Sequence, residues 1–288
     1  VYIGRLVGSL VDLVDLEQIE VLRGPQGTLY GRNSNACAIK ISSVKPQDEF
    51  GASAKFTYGN LNRFDARGMV NFAPTETTAV RVSGIYKTRD GFIDFNPTGA
   101  AVGEAERNIN EVDTLAFRAA VSQDIGDWNV LISADYTDDK SDPTPSSILN
   151  GLDSDNDILT IEPTPGGTCA TGTTAPAGPF QFTRPVGCFN GFSNQTESRG
   201  ISGTITGDVG DFTIQSISSF RRLDDNLSSH IGFPYLQATD QEQFSQEVSF
   251  SSNYEGQFNF VVGGFFFKED LNLDTAFVFP FRVAQDTE

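Results

Sequence analysis

Few residues in this chain have the type and spacing that chemistry needs. Asp153, Asp155 and Asp157 alternate as Asp-x-Asp-x-Asp, a pattern that can present carboxylates to calcium. An EF-hand loop would need glycine at its sixth position and glutamate at its twelfth, and those positions hold Ile158 and Thr164. A solvated acidic loop is therefore the favoured reading of the run, with a weak calcium site as the alternative. The one histidine, His230, has no second metal-binding side chain near it in sequence, so it reads as a loop-surface residue and no metal site is expected. A single histidine also argues against a Ser-His-Asp arrangement, and no catalytic residues are expected. Acidic residues are scattered through loops rather than paired for glycoside hydrolysis.

The stretch IEVLRGPQGTLYGR, from Ile19 to Arg32, is the other candidate. A phosphate loop needs Lys and Ser or Thr after its last glycine, and Gly31 is followed by Arg32-Asn33. A dinucleotide loop needs Gly-x-Gly-x-x-Gly, and Gly24, Gly27 and Gly31 are spaced otherwise. What remains is strand, tight turn and strand, with glycine where φ must be positive. No cofactor is expected.

The elements that would position such residues follow from composition. The 288 residues carry 38 acidic against 20 basic side chains, a net charge of −18, which argues against nucleic acid as a partner. With 24 Phe and 7 Tyr, and much Gly, Ser, Thr and Asn, the chain leans to β-structure. There is no apolar run of the length a membrane-spanning helix requires. The start at Val1 and the polar end at Glu288 read as the cut ends of a longer protein.

From Gly51 onward the pattern is alternation. Phe64, Ala66, Gly68, Val70 and Phe72 share one face, opposite Arg63, Asp65, Arg67 and Asn71. The same period recurs through Val80–Tyr86, Leu115–Val121, Trp128–Tyr136, Ile201–Ile205, Val248–Phe250 and Phe258–Phe266, and more weakly in Phe212–Phe220. This predicts about nine strands of roughly ten residues, the length of a tilted membrane-spanning strand. Connections alternate: short at 74–76, 125–127, 209–211 and 253–256, long at about 90–111, 139–197, 223–239 and from 269, with the first hairpin at Asn60 to Asn62 the one short exception on the long side. Short turns at one rim and long loops at the other are the mark of an outer-membrane barrel rather than a soluble sandwich. The first 46 residues lack the alternation. Leu10–Leu16 reads as a short helix, and Ile19–Leu22 and Ala38–Val44 as short strands, joined to the rest through Lys45-Pro46-Gln47.

The run IEVLRGPQGTLYGRNSNACAIKI resembles the end of the plug domain of TonB-dependent outer-membrane receptors. Gln243-Phe244-Ser245-Gln246-Glu247-Val248 is similar to a barrel strand common in that family. Ala36-Cys37 stands where family members usually have Gly-Gly, and Lys40 where Asn is usual. The resemblance implies an all-β fold: an antiparallel transmembrane β-barrel, incomplete at about nine strands, with a small mixed plug remnant. Residues 1–46 would be the C-terminal part of the plug, and 47–288 the N-terminal part of the barrel with long extracellular loops. Arg23, Gly24, Pro25, Gly27, Tyr30 and Gly31 carry the plug signature.

The function so implied is import of a scarce substrate, most often a ferric siderophore, energised by TonB in the outer membrane of a Gram-negative bacterium. TonB itself would act through a plug segment missing from this sequence, and outer-membrane lipid would surround the strands. A passive porin-like channel is the alternative, and a soluble secreted β-protein a further one. Substrate specificity would lie in the apical loops and the plug apex. Phe180, Phe182, Phe189, Phe192, Phe233 and Tyr235 could stack on a ligand there, or equally pack the loops against themselves. In the oxidising compartment this implies, Cys169 and Cys188, 19 positions apart, are expected to form a disulfide, leaving Cys37 reduced. Plug arginines of the family meet barrel glutamates, so Arg23 is expected to latch onto Glu247 or a neighbouring lumenal carboxylate, or equally to bond only backbone carbonyls within the plug.

Overall fold

The computed structural model describes residues 14–25, 37–95, 107–143, 193–230, 234–256 and 258–277. Thirteen strands are present among them, and no helix. A two-stranded antiparallel sheet comes first, from β1 (Leu16–Arg23) and β2 (Cys37–Ser43). A nine-stranded antiparallel sheet follows, built from β3 (Gly51–Tyr58), β4 (Phe64–Thr75), β5 (Thr78–Arg89), β8 (Val112–Ile125), β9 (Trp128–Asp139), β10 (Ser193–Val209), β11 (Phe212–His230), β12 (Pro234–Ser252) and β13 (Val261–Phe277). Each strand pairs with its sequence neighbour, as in a meander. A small hairpin, β6 (Ile93–Phe95) with β7 (Arg107–Ile109), interrupts the β5–β8 connection.

The expected alternation is thus realised as nine paired strands, with two differences. First, β10 to β13 run 17 to 19 residues rather than ten. The segments read as loops at 223–239 and from 269 are largely strand, because β11 and β12 stay paired up to His230 opposite Pro234. At about 3.3 Å per residue such strands are roughly 60 Å long, more than a tilted strand needs to cross a bilayer. Their upper halves therefore stand beyond the lipid. Second, Leu16 opens a strand rather than closing a helix, while residues 1–13 of that stretch lie outside the described residues.

Short turns at the lower rim follow from local chemistry. Gly126 and Gly210 take φ of 60° and 61° at the first central position of two-residue hairpins, a conformation that costs glycine nothing. Trp128 then closes its turn from the outside: its ring lies over Gly207 on the facing strand, where a Cβ would sit 2.3 Å from ring atoms. This is an interfacial position that suits an amphipathic indole.

Burial in the large sheet is inverted relative to a soluble protein. Ser83, Ser133, Ser198, Ser219, Gln241, Gln243 and Ser245 are buried on the concave face, whereas Val82, Phe117, Ile132, Ile201, Phe220, Phe244, Phe250 and Phe266 are exposed on the other. A continuous outward apolar surface of this kind is stable only against lipid. The outward ladder row also reports strand tilt. It reads Gly68, Gly84, Phe117, Tyr136 and then Arg199, Arg222, Glu242, Asp270. A row perpendicular to tilted strands climbs out of the hydrocarbon as it crosses the sheet, so its residues turn from apolar to charged. A 590 Å³ apolar groove between β3, β4, β5 and β8, including Gly68, Gly84 and Phe117, belongs to this lipid face.

Candidate functional site: the lumenal wall and its plug contact

The concave face is a graded polar wall. One row holds Arg81, Ala120, Ser133, Ser202, Ser219, Ser245 and Phe267 in consecutive register from β5 to β13. Small side chains leave the wall flat, and Ser133 and Ser202 satisfy each other across strands at 2.9 Å. The next row upward holds Ser83, Arg118, Asp135, Gly200, Arg221, Gln243 and Glu269. Arg221 spans Gly200 to reach Asp135 at 2.8 Å and also donates to the Ser198 hydroxyl at 3.0 Å.

The small sheet is tied to this wall by charge. Asp15, just before β1, accepts from Arg81 Nε at 2.5 Å and from Nη2 at 2.7 Å, with the two side chains 13% and 9% exposed. Asp15 takes a φ of 60°, a region that aspartate tolerates better than most residues, and its carbonyl accepts the Val44 N–H at 3.0 Å. The carboxylate is thus aimed from a fixed backbone. Asn71, 2% exposed on β4, holds the connecting segment: it accepts from Gln47 N–H and donates to the carbonyls of Gln47 and Glu49.

The small sheet has an apolar face of its own. Ile19 pairs with Ile41 and Val21 with Ile39, and all four are exposed. Glu20 and Lys40 pair on the other face at 2.8 Å.

Of the residues singled out by sequence, Arg23 ends β1 opposite Cys37, and Gly24 follows with φ of 86° and open space around its Cα. Backbone conformation, not crowding, is what requires glycine at that position. Pro25 follows it; Gly27, Tyr30 and Gly31 lie outside the described residues. Glu247 sits on the lumenal register of β12, between Ile217 and Phe265. It is five strands along the wall from Arg81, about 24 Å at the usual strand spacing. Among the described residues, Asp15 and Arg81 form an ion pair that joins the small sheet to the wall.

That contact was missed in sequence because Asp15 lies in a stretch read as helix and Arg81 in an ordinary alternation. The signal available was one arginine in the polar register of a strand otherwise flanked by Ala79 and Ser83. Tyr235 faces the lumen at the upper end of β12, where its hydroxyl donates to Gln237. Phe180, Phe182, Phe189, Phe192, Phe233, Cys169, Cys188 and the acidic run at 153–157 lie outside the described residues. His230 pairs its backbone with Pro234.

Solved structures share this architecture. The ferric yersiniabactin uptake receptor FyuA of Yersinia pestis superposes with a TM-score of 0.70 at 13% identity, covering 93% of this chain and 38% of its own. The pyoverdine outer membrane receptor FpvA of Pseudomonas aeruginosa PAO1 gives 0.66 at 14% identity, covering 94% and 38%. By sequence, the Ferrioxamine B receptor of Salmonella typhimurium is 38% identical over 85 residues, 28% of this chain and 12% of the receptor.

The chain has the fold of outer-membrane siderophore receptors. The Catecholate siderophore receptor Fiu of Escherichia coli K12 is a second relative, 37% identical over 82 residues, 27% of this chain and 10% of the receptor. No family model matches the chain. The match thus spans only about an eighth of the first curated receptor's length. The large sheet is open among the described residues, with β3 and β13 as its edge strands.

Proposed function

We propose that the protein binds a ferric siderophore at the outer face of a Gram-negative outer membrane and imports it with energy delivered through TonB. The observation that carries this reading is the folded element inside the wall: Asp15, ahead of β1, is bound bidentately to the lumenal Arg81. A passive channel needs an open lumen, whereas an import receptor needs one closed by a removable part. The names of the relatives, receptors for ferrioxamine B and for catecholate siderophores, support iron chelates as the substrate class.

Residues 1–46 act as the end of the plug and 47–288 as the first part of the barrel. Specificity resides in the loops above β9 and β11, with Tyr235 at the rim. The test is radioiron uptake by cells carrying or lacking the full gene, with and without a proton-gradient uncoupler. Uptake that requires the gene and is abolished by the uncoupler is the expected result. Uptake unaffected by the uncoupler identifies a passive channel instead.

A further inference from the structure

Three guanidiniums and two carboxylates meet on the lumenal wall beside the plug contact. Asp15 is committed to Arg81, and Asp135 to Arg221. Arg118 lies between these pairs. It faces Ser83 across one ladder and Asp135 across the other, and it is within electrostatic reach of Asp15, Asp135 and Arg221. Yet among the described residues it has no hydrogen-bond partner, although it is half-buried on the inward register with Ala116 and Ala120. A guanidinium has five N–H donors and no acceptor, so a half-buried one without a partner is a group waiting for an anion.

Ser83, 4% exposed, adds a hydroxyl at the same level. The backbones of β5 and β9 flank the position on either side, and it lies on the inward register of β8. Asp15, a carboxylate within electrostatic reach of Arg118, is held by Arg81 and by its own fixed backbone.

We propose that Arg118, with the Ser83 hydroxyl beside it, is an oxyanion-binding position of the lumenal wall, and that it takes an anionic oxygen of the cargo chelate as the plug moves. The proposal rests on the import reading above. It favours chelates whose iron-binding oxygens leave net negative charge, such as tricatecholates, over trihydroxamates with none.

Two arms test it on the full-length receptor. In the first, crystals are soaked in sodium selenate. A selenium anomalous peak at hydrogen-bond distance from the Arg118 guanidinium, lost in Arg118→Gln, is expected; no peak, or a peak that persists in the variant, overturns the site. In the second, radioiron uptake is measured with a ferric tricatecholate trianion and a ferric trihydroxamate. Arg118→Gln should lower uptake of the trianion roughly tenfold, the size of one charge-assisted hydrogen bond, with Arg118→Lys recovering most of it and the trihydroxamate unaffected. Equal loss for both chelates overturns the cargo assignment and leaves a plug carboxylate as the oxyanion. Import of neither chelate by the wild type removes the cargo half together with the import reading, while the selenate arm still decides the site.

Discussion

Arg221 reaches Asp135 at 2.8 Å across the bare backbone of Gly200, which supplies no side chain between them. A Cβ at Gly200 would sit 2.7 Å from Arg221 Nη2 and 3.1 Å from Asp135 Oδ1. Glycine there leaves room for the ion pair, whose Arg221 end a larger side chain would have to displace, and its φ makes no such demand. Gly200→Leu should separate the pair and cost about 1.5–3 kcal/mol, the range for a hydrogen bond to a charged group. At Gly203 on the same strand a Cβ would meet nothing within 4 Å, so Gly203→Leu should cost distinctly less. Urea unfolding of the refolded parent in detergent compares the two; equal losses would show that Gly200 matters only as strand backbone.

The pair between Asp15 and Arg81 should behave as a plug latch. Asp15→Asn and Arg81→Gln each leave a largely buried charge without its partner, and each should loosen the plug. A double-mutant cycle on plug release should give a coupling of about 0.5–3 kcal/mol. The Arg23–Glu247 latch proposed from sequence is tested in the same assay with Arg23→Ala and Glu247→Ala. Coupling in that pair supports it, and strict additivity removes it.

Lipid exposure should alternate along each wall strand. Ile132 is 51% exposed on the outward face and its neighbour Ser133 is buried on the inward one. Ile132→Lys in the parent should cost roughly 2–4 kcal/mol if the position lies near the bilayer midplane. Spin labels placed singly from 129 to 136 provide the check, read with a lipid-soluble quencher. Accessibility with period two is expected, and a flat profile contradicts the membrane orientation.

The top of the wall should be stabilised by acid. Asp225 stands 13 residues above the turn at Phe212, past the roughly ten that cross the hydrocarbon. Burial is the largest influence on its carboxyl and raises its pKa; hydrogen bonds from Thr196 and Gln237 oppose this, and the nearby Asp139 adds to it. A carboxyl whose folded pKa exceeds its unfolded value binds protons more tightly when folded. Stability of this region then falls as pH rises through the window from the ordinary carboxylate value up to the raised one. Asp225→Asn should flatten that dependence and stabilise β10 to β12 at neutral pH. Hydrogen exchange at Thr196, Asp225 and Gln237 over an acid-to-neutral series measures it; an unchanged pH profile in Asp225→Asn counts against the assignment.

Much of the architecture was determined by sequence. Alternation such as Phe64 to Phe72 and Trp128 to Tyr136 requires a two-faced strand, because successive side chains point to opposite sides. Glycines at 126 and 210 place the turns, since a tight hairpin needs positive φ. Strand length was not legible above the membrane. There β11 and β12 carry polar residues on both faces, as at Arg222, Asp224, Asp225 and Asp240, so alternation vanishes although backbone pairing continues. Which carboxylate meets which arginine was also beyond the sequence. Asp15 and Arg81 are 66 positions apart, and their contact depends on how the small sheet enters the wall. Likewise Arg118 is one more polar residue in a periodic strand. Only the register across β5, β8, β9, β10 and β11 shows that, among the described residues, its neighbours' charges are paired and its own has no hydrogen-bond partner, because electrostatic neighbours in a sheet are set by cross-strand pairing and not by order along the chain.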